Sequence, residues 1–331
     1  MRPRLFFPLL RAALALGALF AAAQAPAAER LRLAVQKTGT TAWELAVVAD
    51  FELDKEAGLD LAVAELASTE AGKIALQGGS ADVIVSDWLW VARERAQGAT
   101  LAFYPASTAI GAVMTKDAAI ASVKDLSGKK LGVAGGPVDK SWLLLKAFAL
   151  NNGVDLEKSA TILYGAPPLL AEKAAQGELD AVLEFWTFAV DLEARGFRRA
   201  IDMGEVEKAL GAKGDAIVTG YVFDEAFAKA HPRTLARFFA MTKKAKELIA
   251  TSDKAWEIAA TRLGPKDKAT LDLYRKRYVA GIPKRTLAEE AADAAKLYGV
   301  LAEIGGEKLV GPAKSLPPGT FYQAGAEGEA H

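Results

Sequence analysis

The chain of 331 residues contains no cysteine and only two histidines, His231 and His331. The first absence excludes disulfides, thiol nucleophiles, iron–sulfur clusters and lipid-anchored cysteines. The second leaves almost no raw material for a Ser-His or Cys-His mechanism, or for an imidazole-rich zinc or copper site. Excess charge of either sign is also lacking, with 41 Lys and Arg against 41 Asp and Glu. That balance argues against a nucleic-acid binder, whose affinity rests largely on surplus Lys and Arg. Past the N-terminus there is no apolar run of membrane-spanning length. The 51% hydrophobic and 25% charged residues are globular proportions. A chain of this length buries an ample core in one or two domains.

One apolar run is present, at the start. Arg2 and Arg4 precede a mostly apolar stretch over 5–23, interrupted by Arg11, and small residues close it at 23–28. This is the layout of a secretory signal peptide, 1–28, cut after Ala27 or Ala28. An N-terminal anchor is the alternative, but the apolar stretch after Arg11 is short for a span. The expectation is a soluble, exported, periplasmic protein. Loss of Arg2, Arg4 and Arg11 lowers the 41 basic residues to 38, three below the acidic total.

The rest reads as a repeated α/β unit. Alternating or buried apolar runs at 31–35, 59–63 and 83–85 predict strands, with helices over 43–51 and 69–77 between them. The pattern recurs with strands at 131–133, 161–163 and 181–183 and helices from 140 and over 169–175. Leu33 and Leu131, Val35 and Val133, Gly79 and Gly177, Asp82 and Asp180, Trp88 and Trp186 keep one offset. Two equivalent lobes follow, each a mainly parallel sheet flanked by helices. Segments 108–113 and 215–222, both β-prone and Gly-containing, are the expected hinge. The domain expectation is lobe 1 from 29–112 plus 218–318 and lobe 2 from 113–217. Five C-terminal helices should pack back on lobe 1, and a Gly- and Ala-rich tail, 319–331, should be disordered.

Three stretches carry a family resemblance: GKIALQGGSADVIV at 72–85, VKDLSGKKLGV at 123–133 and ELDAV at 178–182. They resemble the substrate-binding proteins of bacterial ABC transporters, in the NMT1/THI5-like group that binds sulfonates and thiamine precursors. The resemblance implies a type II-like, two-lobed periplasmic binding protein with ligand trapped between lobes, followed by docking on an inner-membrane ABC permease. An enzymatic branch of that group, which makes a thiamine pyrimidine, uses a Cys-rich motif and an active-site His. This chain has no Cys and no His before residue 231, so no catalytic residue and no enzyme activity is expected. Nothing in the sequence demands more than a monomer.

In open parallel sheets ligands bind beyond the carboxyl ends of the strands. Four loops converge there: 37–43, 86–90, 134–142 and 184–188. Five of the six tryptophans lie in them, Trp43, Trp88, Trp90, Trp142 and Trp186, and only Trp256 lies elsewhere. Wide π-faces around a cleft suit a flat, conjugated ligand or a cation. Trp88, Trp142 and Trp186 are the expected ligand contacts, while Trp43 and Trp90 are divided evenly between ligand and core. Thr38, Gly39, Thr40 and Thr41 lead into a helix whose free N–H groups favour an anion. Gly135 and Gly136 do the same in the second lobe, with Asp139 as candidate N-cap and Ser141 beside it. Ser86 can donate or accept. Lys140 pairs a carboxylate, adds to a carbonyl, or stays solvated. Asp87 and Glu184 instead suit a cation, a metal complex or ligand donors, although the aromatic surround argues against a bare metal site. The 86–90 (SDWLW) and 135–142 (GGPVDKSW) patterns resemble binding proteins linked to quinoprotein alcohol oxidation, which implies pyrroloquinoline quinone as ligand. Aromatic or aliphatic sulfonates, a thiamine-precursor pyrimidine, and a cofactor chaperone or sensor without transport are the alternatives.

Overall fold

The structure is a computed structural model and describes residues 28–323. The expected signal peptide, apart from Ala28, and residues 324–331 lie outside it. The chain first runs through β1 (Glu29–Gln36), α1 (Thr40–Asp50), α2 (Leu53–Glu56), β2 (Leu59–Leu66), α3 (Thr69–Gln77), β3 (Val83–Ser86), α4 (Trp88–Ala96) and β4 (Leu101–Ser107). A second unit follows with β5 (Ala112–Thr115), β6 (Lys130–Ala134), α5 (Lys140–Asn151), α6 (Leu156–Ser159), β7 (Thr161–Gly165), α7 (Pro167–Ala175), β8 (Ala181–Glu184), α8 (Trp186–Ala194), β9 (Arg198–Asp202) and α9 (Met203–Ala209). The return brings β10 (Thr219–Asp224), α10 (Glu225–Ala230), α11 (Pro232–Thr251), α12 (Asp253–Ala260), α13 (Lys268–Ala280), α14 (Leu287–Gly305) and α15 (Glu307–Val310).

Two five-stranded sheets result, ordered β2-β1-β3-β10-β4 and β7-β6-β8-β5-β9. In each, four strands run parallel and one, β10 or β5, runs antiparallel between the third and the last of them. The repeat read from sequence is a repeat of register. Leu33 pairs with Val83 in the first sheet, and Leu131 pairs with Ala181 in the second. The repeated Gly and Asp have physical reasons. Gly79 and Gly177 end α3 and α7 at φ 67° and 79°, a region L side chains disfavour. Asp82 and Asp180 each accept a backbone N–H of the neighbouring strand, from Arg32 at 2.8 Å and from Lys130 at 2.7 Å.

The crossing strands hold the sheets together. β10 enters the first sheet between β3 and β4, and β5 enters the second between β8 and β9. Gly111 opens the first crossing, where a Cβ would sit 1.7 Å from the Glu184 carbonyl oxygen, so only glycine passes.

The C-terminal helices depart from expectation. α11 and α12 pack on α1, but α13 packs along α8 and α14 along α5, both of the second unit. Tyr298 of α14, Trp88 and Trp142 share one hydrophobic cluster, so the core runs from one sheet to the other. Apolar periodicity shows that a helix has a buried face, not which neighbour covers it. The tail also differs from the disordered segment expected from 319. Phe321 pairs with Phe103, and the Tyr322 N–H donates to the Phe103 carbonyl at 2.8 Å.

Candidate functional site

A cleft of about 1080 Å³ lies between the sheets, lined by both units and by the C-terminal helices. That is the upper end of the range for pockets that hold drug-sized ligands. It opens where strand ends hand over to helices. Among the expected residues, Thr38, Gly39, Thr40, Thr41, Trp43, Asp87, Lys140, Ser141 and Trp186 line it.

Four helix N-termini meet there, and they differ. α4 and α5 are closed by their own carboxylates. Asp87 accepts the Trp90 N–H at 2.9 Å, and Asp139 accepts the Trp142 N–H at 3.1 Å. α1 and α8 begin at Gly39 and Phe185, neither of which offers a side-chain cap. Phe185 stands at the repeat position of Asp87. The second copy thus has an apolar residue where the first has a capping acid. Free N–H groups at α1 and α8 are left for an external acceptor. These two helices touch across the cleft. The rings of Trp43 and Trp186 lie 5.7 Å apart, edge to face, and Tyr274 of α13 packs on both. Tyr274 also donates to the Thr187 carbonyl at 3.0 Å, which ties α13 to the first turn of α8.

The charge around the cleft is uneven. Seven Lys and Arg line it against three aspartates. Lys73, Arg93, Arg262 and Lys266 are in ion pairs. Lys140 has no carboxylate within bridging distance among the described residues. Its Nζ lies 3.4 Å from the Val218 carbonyl and 5.4 Å from the centre of the Trp88 ring. Burial pushes the Asp139 carboxyl up, against the pull of the Trp142 N–H and Lys140. Apolar surface is also presented, with Val138 and Phe185 left 65% and 40% exposed inside the cleft.

Several expected contacts are corrected. Trp88 and Trp142 are both 0% exposed and belong to the core. The Trp88 indole N–H donates to the Ile217 carbonyl at 2.9 Å, so this ring anchors the second crossing instead of facing ligand. Residues 86–90 and 184–188 are not simple loops, because α4 and α8 start within them and turn the first ring of α4 inwards. Ser86 and Glu184 are buried at the ends of β3 and β8 and do not line the cleft. Gly135 and Gly136 form the left-handed turn before α5, outside the lining, and Asp139 already occupies the N-terminus they were expected to open. Trp90, evenly divided between core and ligand, lines the cleft with the Lys73 ammonium 5.2 Å above its ring. Arg262, Lys266 and Tyr274 were missed. Tyr274 lies on α13, and Arg262 and Lys266 in the turn and loop before it, in a C-terminal region where no local signal marks them.

The comparisons with known proteins bear on this arrangement. A family model described as NMT1/THI5 like matches residues 55–255, more than half of the chain. The chain belongs to the NMT1/THI5-like family. No curated protein sequence matches it. Among solved structures, it is similar to the periplasmic aliphatic sulphonate-binding protein SsuA from Escherichia coli. There the identity is 18%, 89% of this chain and 92% of that chain are covered, and the TM-score is 0.72. It is also similar to the alkanesulfonate-binding protein SsuA from Xanthomonas axonopodis pv. citri bound to MOPS. That match has 18% identity, covers 90% and 98%, and has a TM-score of 0.65. A ligand-binding component of an ABC-type import system from Staphylococcus aureus, with zinc bound, matches at 12% identity, 90% and 99% coverage and a TM-score of 0.63. At these identities the likeness is one of fold, and it supports the two-lobed binding-protein architecture. Among the described residues, no group of three or more His, Asp or Glu stands close enough to hold a metal ion. None of the described helices is long and apolar enough to cross a membrane.

Proposed function

We propose that this chain is the periplasmic solute-binding component of an ABC importer and captures an organic anion between its lobes. One observation carries the reading. The uncapped N-termini of α1 and α8, one from each unit, meet across a cleft whose charged lining is mainly cationic. An oxyanion seated there accepts N–H groups from both lobes. Such a ligand makes its full set of contacts only when the lobes are together, so it shifts the population towards closure. The closed form is then the one that docks on an inner-membrane permease.

The apolar body of the ligand lies against Trp186, Phe185 and Val138. A sulfonate head suits the N–H groups and agrees with what the structural neighbours from Escherichia coli and Xanthomonas are described as binding. A second reading, pyrroloquinoline quinone, is favoured by the cleft volume and its aromatic lining, which exceed the needs of a short alkanesulfonate. Thiamine-precursor pyrimidines lack the anionic head and fit less well. Native mass spectrometry of the exported protein tests the reading. A retained organic anion, released on unfolding, is the expected result. A retained neutral or cationic ligand would overturn it.

A further inference from the structure

Behind the first turn of α8 stands a carboxyl that the ligand site does not use. Glu184 ends β8, is 1% exposed, and among the described residues has no hydrogen-bond partner for either carboxylate oxygen. Its own carbonyl oxygen lies against Gly111 at the first crossing, so it sits where the hinge meets the cleft. The repeat makes its position informative. Glu184 corresponds to Ser86, which is also buried at the end of β3 and without a side-chain partner among the described residues. After Ser86 the chain supplies its own anion, Asp87, to close α4. After Glu184 it supplies Phe185 and leaves α8 open to an external anion.

Among the described residues no cation pairs with Glu184. β5 and the crossing before it, 107–111, carry no charged side chain. On β6 the only ionisable residue is Lys130, at the opposite end, where its N–H meets Asp180. On α7, Glu172 pairs with Arg195 and Lys173 with Glu178. On α8, Asp191 pairs with Lys266, and Glu193 with Arg199 and Arg277. Burial pushes the Glu184 carboxyl up to about 8, with the Phe185 N–H pulling weakly the other way. A carboxylate at this depth would also set a negative charge two residues behind the amides of Trp186 and Thr187, where an anion is to bind.

We propose that anion capture by this cleft is linked to a proton on Glu184, which must be neutral for the α8 N-terminus to hold an anion. The inference rests on the organic-anion reading. It adds that the affinity is set by pH through one buried side chain outside the lining. No bond to the ligand is formed, and the step is proton uptake from solvent.

The test is calorimetric titration of the full-length exported protein with benzenesulfonate, whose sulfonate stays ionised wherever the protein is folded. The expected affinity is flat at lower pH and falls about tenfold between about pH 7 and pH 9, with protons taken up on binding near about pH 8. Proton uptake is read from the dependence of the binding heat on buffer ionisation heat. Glu184→Gln should bind at the wild-type low-pH affinity across the range, with no proton uptake. Glu290→Gln is the control, because Glu290 is also buried and pushed up to about 7 by burial but lies on α14, where its charged neighbours are Arg285 and Asp293, outside the cleft lining. It should keep the wild-type pH profile. Binding without pH dependence in the wild type, or linkage lost in Glu290→Gln and kept in Glu184→Gln, overturns the proposal and leaves the anion reading standing. No binding of any organic anion at any pH overturns both. Wild-type proton uptake is a readout that needs no variant, so it stands even if a substitution impairs folding.

Discussion

Each tryptophan near the cleft has a different task, and residue type alone does not reveal it. Trp88 and Trp186 hold the same place in the repeat, the first residue of a helix after the central strand. Trp88 is covered by the second crossing and by Lys140, whereas Trp186 turns towards Trp43 and Tyr274. The concentration of tryptophan at the strand ends was therefore legible in the sequence, but the side each ring faces was not. That depends on which non-local element covers it. The two roles separate by mutation. Trp186→Ala should weaken anion binding by about 1 kcal/mol or more with a small loss of stability. Trp88→Ala and Trp142→Ala should each cost about 3–5 kcal/mol of stability by urea denaturation, because each leaves a large cavity. Unchanged stability in both would return them to the cleft.

At the scale of elements, the parallel units were legible because strand and helix alternate and Gly-x-x-Asp recurs at the same step. The placements of α13 and α14 were not legible, since an amphipathic pattern names no partner. Their packing has consequences for α1. Behind its N-terminus, Glu44 accepts from Lys246 of α11, from Tyr221 of β10 at 3.2 Å and from Tyr278 of α13 at 2.8 Å. Burial pulls the Lys246 ammonium down, but Glu44 and Tyr221 outweigh it and hold it above its usual value. This buried network fixes α1 to the crossing strand and to the helix that rides on α8. Lys246→Met leaves Glu44 buried without its cation and should cost about 3–5 kcal/mol in denaturant unfolding. The double change with Glu44→Gln should cost less than the sum of the single changes. Additive costs would show that the pair is not coupled.

For the whole molecule, the buried carboxyls set the dependence of stability on pH. Burial pushes Glu184 and Glu207 to about 8 and Glu290 to about 7. The folded chain therefore binds more protons than the unfolded chain above the ordinary carboxylate range. Stability must fall as pH rises from there towards about 8. Asp82 and Asp293 act in the opposite window. Burial raises both, but Arg32 for Asp82, and the Lys213 N–H and Arg285 for Asp293, hold them below the usual value. Their stabilisation is present above the ordinary carboxylate value and is lost as pH falls through the lowered one. The urea midpoint should therefore peak in mildly acidic solution and decline on both sides. Glu184→Gln should flatten the alkaline side. A midpoint that rises steadily to alkaline pH would contradict this assignment of buried carboxyls.

The central claim is that the uncapped ends of α1 and α8 make this cleft an anion trap. Tryptophan fluorescence tests it directly, by titrating the protein after refolding free of bound ligand. Benzenesulfonate and pyrroloquinoline quinone are compared with benzenesulfonamide, a neutral analogue of the first. The account predicts saturable quenching by at least one anion at one site per chain, and at least tenfold weaker binding of the neutral analogue. Equal affinity for benzenesulfonate and its neutral analogue, or no response to either anion, would contradict it.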